Sequence, residues 1–382
     1  MIRVSLAPLL GLLLLGVSGR APAETPAADH EREPAPEAAA SPKKRPLLWH
    51  DSTVVWQQRA GSQTVHVGSD YQSSDPYYDW VFYLRPRFYF WENERSSVSL
   101  RAQVWTTYEF TNSDITTQKN ELIFGDTLLS LVPAHAFVKQ GEYLTELELS
   151  LPRLVLPTSK ASYNSGEIAQ LGVRAYLLQA FPLREGQSFL ARAHAALRVG
   201  YSYQFARSTV PENPNLNQGV TDWEGVVVNS HQVAGAALAE HIGIFHGLIG
   251  ADIWRDIFSL EAEFGLDPSW KFRLPPSQPI CGNVLTGCTV PGEPPDPQTY
   301  GVVTYLDAHL DFLAFSGSFT TSIGWENITL QNGPDGQHRN AFWSPDAKLY
   351  LKFELQPDLL FEPRAVSRYT RARPLTNVAS AR

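Results

Sequence analysis

Residues 97–110 read SVSLRAQVWTTYEF, and apolar and polar side chains alternate along this stretch. If the chain is extended, one face carries Val98, Leu100, Ala102 and Val104. The opposite face then carries Ser99, Arg101, Gln103 and Glu109. A period of two predicts a β-strand. The stretch is longer than the usual strand of about 5–6 residues, so the fold depends on what covers its apolar face.

The same alternation recurs along the chain and predicts an all-β protein of about twelve strands. The clear stretches are 79–92, 97–110, 188–205, 258–272, 305–315 and 347–355. The weaker ones are 53–67, 126–138, 143–156, 167–181, 228–244 and 318–330. After the first residues there is no run of apolar residues long enough for a transmembrane helix, which needs about 20.

The predicted connections alternate between short and long. Short ones are expected near Asn93, Gly141, Gly186, Gly247 and Gly317. Long ones are expected at 68–78, 111–125, 158–166, 207–227, 274–299 and 331–345. Short turns on one side and long loops on the other are typical of an antiparallel up-and-down transmembrane barrel with an even number of strands. Both termini are then expected on the periplasmic side.

Aromatic residues are expected on the apolar faces near both ends of the predicted strands. Those near the external ends are Trp80, Tyr108, Tyr201, Tyr203 and Trp270. Those near the periplasmic ends are Phe88, Phe90, Phe189, Phe312, Phe319 and Phe353. Two aromatic belts around an aliphatic band are typical of a lipid interface, because Trp and Tyr combine an apolar body with a polar tip.

With these features the chain resembles outer-membrane β-barrel proteins, porin-like in the broad sense, over roughly residues 53–355. The stretch KLYLKFEL (348–355) resembles the last strand of such barrels, with Leu351, Phe353 and Leu355 on one face. It departs from their pattern in having Tyr350 where glycine is usual, and in the tail that follows to Arg382. The resemblance implies an integral bacterial outer-membrane protein surrounded by lipid.

The first residues predict export. Met1 to Arg3 form a basic start, Val4 to Val17 an apolar run, and Ala21-Pro22-Ala23 a small-residue cleavage pattern. We therefore expect a signal peptide at 1–23, a disordered periplasmic leader at 24–50, the barrel at 51–356 and a basic periplasmic tail at 357–382. The two extensions could contact other envelope proteins, or could be simple overhangs.

The composition excludes one class of partner and predicts one covalent link. The formal net charge of -8 argues against nucleic-acid binding. In an exported protein, Cys281 and Cys288 of CGNVLTGC predict a loop disulfide. No histidine lies nearby, which makes this pair a poor zinc site, and we predict no metal or cofactor.

If the apolar faces meet lipid, the polar faces line the lumen. The predicted basic lining residues are Arg85, Arg87, Arg101, Arg174, Arg192, His194, Arg198, His309, Lys348 and Lys352. The predicted acidic ones are Glu109, Glu146, Glu148, Glu261, Glu263, Asp307, Asp311, Glu326 and Glu354. A barrel of about twelve strands lies between the filled eight-stranded and the open sixteen-stranded sizes. A salt-bridged filling and a narrow polar pore are therefore both open interpretations.

Three functions compete at this stage. The favoured one is a narrow, charged pore for small polar solutes or ions, with no enzymatic activity. The second is a non-catalytic barrel within an envelope-spanning machine for polysaccharide export or surface motility. The third is a lipid hydrolase, because some twelve-stranded outer-membrane phospholipases act through Ser and His. The candidate histidines for that chemistry are His135, His194, His231, His241 and His309.

One spacing among them could support a charge relay or a pair of metal ligands. Asp307, His309 and Asp311 alternate on one predicted face. No serine motif accompanies them, and lumen lining explains them equally well, so no catalytic residue is assigned.

Overall fold

A computed structural model of the chain separates Met1–Arg45 from a compact unit, Pro46–Arg382. The structure describes residues of the second unit only. These are residues 49–61, 77–111, 120–140, 143–183, 190–209, 220–221, 227–228, 237–253, 257–273, 280–281, 288–289, 300–315, 318–330, 340–344 and 347–361.

Twelve long strands form one closed antiparallel barrel. They are β1 (Thr53–Gly61), β2 (Tyr78–Arg85 and, after Pro86, Arg87–Glu92), β3 (Ser96–Glu109), β4 (Thr127–Gln140), β5 (Tyr143–Leu156), β6 (Glu167–Pro182), β7 (Leu190–Ala206), β8 (Ala239–Ile253), β9 (Phe258–Lys271), β10 (Tyr300–Ala314), β11 (Phe319–Leu330) and β12 (Lys348–Leu355). Each strand pairs with the next in sequence. The predicted all-β barrel of about twelve strands is confirmed.

The last strand closes the barrel onto the first. The register between β1 and β12 runs from Val54 opposite Leu355 to Gly61 opposite Lys348. Closure satisfies the backbone hydrogen bonds that an edge strand would leave open, and a bilayer core requires this because it offers no water to replace them.

The connections do alternate between short and long, and this defines two ends of the barrel. The short-turn end contains the links that follow β2, β4, β6, β8 and β10. The long-loop end contains the links that follow β1, β3, β5, β7, β9 and β11.

The eighth strand lies later in the sequence than predicted. It spans Ala239–Ile253 rather than 228–244, and the turn expected near Gly247 lies after Ile253 instead. Gly247 lies within the strand, and Gly250 on the same strand makes room for a neighbouring ring and forms no turn. A Cβ at Gly250 would lie 2.2 Å from His194 Nε2, so the glycine allows this ring to pack inside the barrel. The prediction of a turn near Gly247 is therefore wrong.

The outer surface of the barrel exposes large apolar side chains on every side. Ile249 is 67% exposed, Phe90 66% and Ile323 60%, and Val104 of the opening stretch is exposed as well. No helix among the described residues is long and apolar enough to cross a membrane. An apolar surface of this extent around a closed barrel is the lipid-facing surface of a transmembrane β-barrel.

Inward-facing side chains fill much of the barrel. At the short-turn half, the walls formed by β4 to β8 contribute an apolar cluster of Ala136, Leu144, Tyr176, Leu178, Ala180, Ala196 and Leu248. A second cluster on β1 and β2 contains Val55, Val81 and Tyr83, with Trp105 of β3 packed against it. The remaining inward positions are mostly polar or charged, and most of them are buried.

Among the described residues, two short helices accompany the strands. Helix α1 (Lys160–Asn164) lies at the long-loop end, and the Ser159 side chain caps it by accepting a hydrogen bond from the Ser162 backbone amide. Helix α2 (Pro357–Phe361) follows β12 directly, within the range predicted as a tail. Residues 1–48 and 362–382, where the signal peptide and most of the leader and tail are expected, lie outside the described residues.

Candidate functional site

The predicted lining residues lie at inward positions of the barrel strands. Those that are buried are Arg85, Arg87, Glu109, Glu148, Arg192, His194, Arg198, Glu261, Glu263, Asp307, His309 and Glu326. Those that are partly buried are Arg101, Glu146, Arg174, Asp311, Lys348, Lys352 and Glu354. Together they form a polar interior that is largely closed to solvent.

A ladder of ionic contacts follows the wall formed by β7, β8 and β9. Near the short-turn end, Arg192 Nε lies 3.7 Å from Asp252 Oδ2. Next along the axis, His194 Nε2 lies 3.2 Å from Glu261 Oε1. Arg198 then donates to Glu263 at 2.8 Å.

The ladder ends at a buried histidine midway along β8. His246 Nδ1 lies 2.7 Å from Glu263 and its Nε2 lies 2.9 Å from Asp267, and its ring stacks on Tyr305. Polar groups therefore extend on this wall from the short-turn end to just past the middle of the barrel. We define these residues, from Arg192 to Asp267, as the ionic ladder.

Charges on the opposite wall are also paired across strands. Glu148 of β5 lies 2.9 Å from Arg101 and 3.5 Å from Arg87. Arg59 of β1 donates two hydrogen bonds to the buried Asp79. These pairs neutralise much of the charge that the sequence would otherwise place on separate walls.

The predicted relay around His309 is a compact acidic cluster. His309 Nδ1 lies 2.5 Å from Asp307 Oδ1, and Tyr350 donates to both oxygens of Asp307 at 3.0 Å. Glu261 and Asp311 lie 3.6 and 3.7 Å from His309 Nε2. The described residues contain no group of three His, Cys, Asp or Glu side chains arranged to hold a metal ion.

Two other candidate histidines lie on the outer surface. At the short-turn end, His135 Nδ1 lies 2.7 Å from Ser96 Oγ. Among the described residues, no carboxylate orients this ring as the third group of a Ser–His relay would. His241 lies 2.6 Å from the Tyr201 hydroxyl. His231 lies outside the described residues.

Sequence reasoning missed several inward charges, and Arg153 shows why. The pairing of β5 with β6 shifts between Ser150 and Arg153, around Leu151-Pro152. A one-residue bulge moves every later side chain to the other face. Strict alternation from Glu146 and Glu148 would place Arg153 outside, whereas it lies inside near Gln170.

At the short-turn end, His50 ties the start of the barrel to β2. Its ring is 3% exposed and stacks on Tyr89 with centroids 3.8 Å apart. Its nitrogens lie 2.9 Å from Glu92 and 3.2 Å from Asp51. Burial opposes the charge, but the hydrogen bonds and charges of Asp51 and Glu92 raise the pKa of His50 to about 9.

Helix α2 packs on the same cluster through Asp358. Its side chain is buried beside Asp51 and close to His50. Burial raises the pKa of Asp358. The segments next to both predicted extensions are thereby joined at the short-turn end.

The two cysteines lie on a small hairpin of the β9–β10 connection. Ile280–Cys281 pairs with Cys288–Thr289, and Cys281 lies directly opposite Cys288 in the backbone register. The predicted disulfide stays a prediction.

Comparisons with known proteins identify no family. No family model matches the chain, and no match was found among curated proteins. The chain is similar in structure to the COG4313 outer membrane channel from Pseudomonas putida F1, with 11% identity, a TM-score of 0.47, and coverage of 82% of this chain and 98% of that one.

Two further solved structures show weaker similarity. OccAB3 from Acinetobacter baumannii has 6% identity and a TM-score of 0.24, over 80% of this chain and 98% of that one. The outer membrane phospholipase from Salmonella typhi has 8% identity and a TM-score of 0.29, over 80% and 91%. Similarities this low assign no activity. The closed barrel and its apolar outer surface are what place the protein in the outer-membrane β-barrel class.

Proposed function

We propose that the protein is a narrow outer-membrane channel that conducts small polar solutes or ions past charged side chains. The observation that supports this best is the ionic ladder, which runs along the inner wall from Arg192 to Asp267. An ion leaving water needs polar partners throughout its path, and the ladder offers carboxylates and cations at successive heights. In this proposal the short-turn end is periplasmic.

The packing of the interior sets the expected size of the conductance. Most inward side chains along the ladder are buried, so passage requires small side-chain displacements. We therefore expect conductance well below that of sixteen-stranded porins, whose lumens are open water channels. Mixed charge on the wall also predicts that ion selectivity depends on the ladder carboxylates.

The test is planar-bilayer recording on the purified, refolded full-length protein. We expect small, resolved current steps. The double substitution Glu261→Gln and Glu263→Gln should make the pore more selective for anions. In a salt gradient, the reversal potential should therefore shift toward the equilibrium potential of the anion. The outward substitution Ile323→Val should leave that potential unchanged. Absence of current, both with the loops intact and after deletion within 207–227 and 274–299, would exclude a pore.

A second function is supported by the contact between the segment before β1 and the segment after β12. Asp51 and Asp358 connect the segments that precede β1 and follow β12, and the interior is largely filled. A filled barrel with both extensions on one side is suited to anchoring partner proteins. We propose envelope-machine anchoring as the alternative. It predicts that cross-linking through residues 24–50 and 362–382 recovers the same partner proteins from membranes, and that deleting both segments abolishes the recovery.

A further inference from the structure

Three inward polar side chains between the middle of the barrel and its long-loop end have polar atoms without partners among the described residues. Arg153 Nε, Arg174 Nε and both side-chain atoms of Gln204 are buried and have no hydrogen-bond partner among the described residues. Gln204 is 0% exposed. A buried amide or cation that loses its hydration without gaining a partner costs roughly several kcal/mol. Binding of a ligand that accepts hydrogen bonds from these groups would remove this cost.

The strand register brings these groups together. Arg153 lies opposite Gly172 of β6, and on β6 this position is flanked, on the same face, by Arg174 and Gln170. Gln170 lies directly opposite Gln204 of β7. Same-face neighbours along a strand are about 7 Å apart, and directly opposite residues have Cβ atoms about 5 Å apart. Donors from β5, β6 and β7 therefore line one stretch of the inner wall, in which Arg153 lies between Gln204 and Arg174, whose register positions are about 13 Å apart.

The charge of this region is positive. Arg174 is repelled by the charges of both Arg153 and Arg198 and attracted by Asp267 and Glu263. Three guanidinium groups thus face two carboxylates, which leaves positive charge in excess even when His246 is neutral.

The two nearby carboxylates do not neutralise Arg153 or Arg174 directly. Asp267 contacts His246 at 2.9 Å, and Glu263 contacts Arg198 at 2.8 Å. Neither carboxylate lies within ion-pair distance of Arg153 or Arg174 among the described residues. An incoming anion would therefore meet two arginines for which the described residues provide no carboxylate partner.

We propose that Arg153, Arg174 and Gln204 form a binding site for an oxyanion group, such as the phosphate, sulfate or carboxylate of a small solute. Guanidinium and amide N–H groups are the donors that such groups require, and arginine matches the geometry of planar or tetrahedral oxyanions. Arg153 and Gln204 lie near the long-loop ends of β5 and β7, and Arg174 lies midway along β6, so a solute entering from the long-loop end reaches this site in the first half of the barrel. The inference builds on the proposed channel and adds the class of solute that it binds.

The experiment measures binding of inorganic phosphate to the full-length protein in detergent. Calorimetric titration and the urea midpoint of unfolding are recorded with phosphate and, at matched ionic strength, with chloride. We expect phosphate to bind and to raise the midpoint, whereas chloride should do neither. Arg153→Gln and Arg174→Gln should each weaken binding about tenfold or more, as expected for loss of one charged hydrogen bond.

Two further variants make the result specific. Arg207→Gln removes the same charge from an exposed position beyond the end of β7 and should bind phosphate like the wild type. Gln204→Leu retains all the charges and should also weaken binding. Without phosphate, the Arg153 and Arg174 variants should be at least as stable as the wild type, because each loses an unpaired buried charge.

Different failures have different meanings. Equal effects of phosphate and chloride, or undiminished binding by Arg153→Gln and Arg174→Gln, would overturn the oxyanion site. Phosphate binding without any current in bilayers would leave the site intact and contradict the channel. Current without phosphate binding would contradict the site alone.

Discussion

Arg59 of β1 and Glu326 of β11 lie 3.4 Å apart, although the whole of β12 separates their strands. The same guanidinium holds the buried Asp79 of β2. Arg59 therefore links three strands on both sides of the place where the chain closes on itself. A closed barrel depends on this contact between its ends, and here it is reinforced by charge.

The first prediction concerns this arginine. Arg59→Met should lower the free energy of unfolding by about 3–5 kcal/mol, because it leaves Asp79 buried without its cation. Unfolding by urea in detergent micelles measures the loss. The companion variant Arg59→Met with Asp79→Asn also removes the unpaired charge of the buried Asp79 carboxylate, and it should recover most of the stability. If the single and double variants are equally unstable, Arg59 acts through packing and not through charge.

A second prediction compares two glycines that lie close together in space. A Cβ at Gly265 would lie 2.4 Å from the His246 ring, which is held between Glu263 and Asp267. Gly265→Ala should therefore cost about 1–3 kcal/mol, as overpacking usually does. Gly247 faces outward with nothing within 4 Å of its Cβ position, so Gly247→Ala should be neutral or slightly stabilising. A large loss at Gly247 would place that residue at a turn after all.

These glycines also show where sequence reasoning succeeds and where it stops. The alternation in residues 97–110 and its repeats is sufficient to predict a twelve-stranded barrel, because a closed barrel imposes the same two-residue period on every strand. Glycine, however, has two uses: it permits turns, and it makes room for a neighbouring ring. Only the partner across the sheet, His246 or His194, distinguishes them, and that partner is remote in sequence.

For a similar reason, a single sequence does not predict which charged residues form ion pairs across the barrel. Glu148 and Arg101 are predicted to lie inside from their own strands, but their contact depends on the register of strands between them. Arg153 is hidden by the bulge that precedes it. The burial of His50 by Tyr89 likewise depends on how the chain enters the barrel.

The third prediction follows from the raised pKa of His50. Its value of about 9 exceeds the value near 6.5 of an unfolded chain, so the protonated ring stabilises the fold. That contribution is complete below about pH 6.5 and is lost as the pH rises through about 9. The groups facing the ring are Asp51, Glu92, Tyr89 and Asp358.

The measurement is the difference in unfolding free energy between the wild type and His50→Gln. It should be large at pH 6 and small at pH 10, with a change of up to roughly 3 kcal/mol for the full pKa difference. Titrating groups remote from the ring are common to both proteins and cancel in the difference. A pH-independent difference would show that His50 stabilises the end of the barrel only by packing on Tyr89.

The fourth prediction is that Cys281 and Cys288 form a disulfide. Directly opposite residues of an antiparallel hairpin have Cα atoms about 4.5–5.5 Å apart, within the range of disulfides. We expect the protein exported to the periplasm to resist maleimide labelling until it is reduced. Cys281→Ser should expose one reactive thiol at Cys288 without reductant. Labelling of the unreduced wild type at both cysteines would contradict the disulfide.

The last prediction tests the lipid-facing surface. Leu197 lies near the middle of β7 with its side chain 39% exposed, at the depth where a lysine costs about 2–4 kcal/mol in a transmembrane barrel. Leu197→Lys should make folding into lipid vesicles less favourable by that amount. Phe342→Lys changes an equally apolar, exposed residue at the long-loop end and should cost about 1 kcal/mol or less. Equal tolerance of the two lysines would mean that the outer face of β7 is covered by protein or water and not by acyl chains.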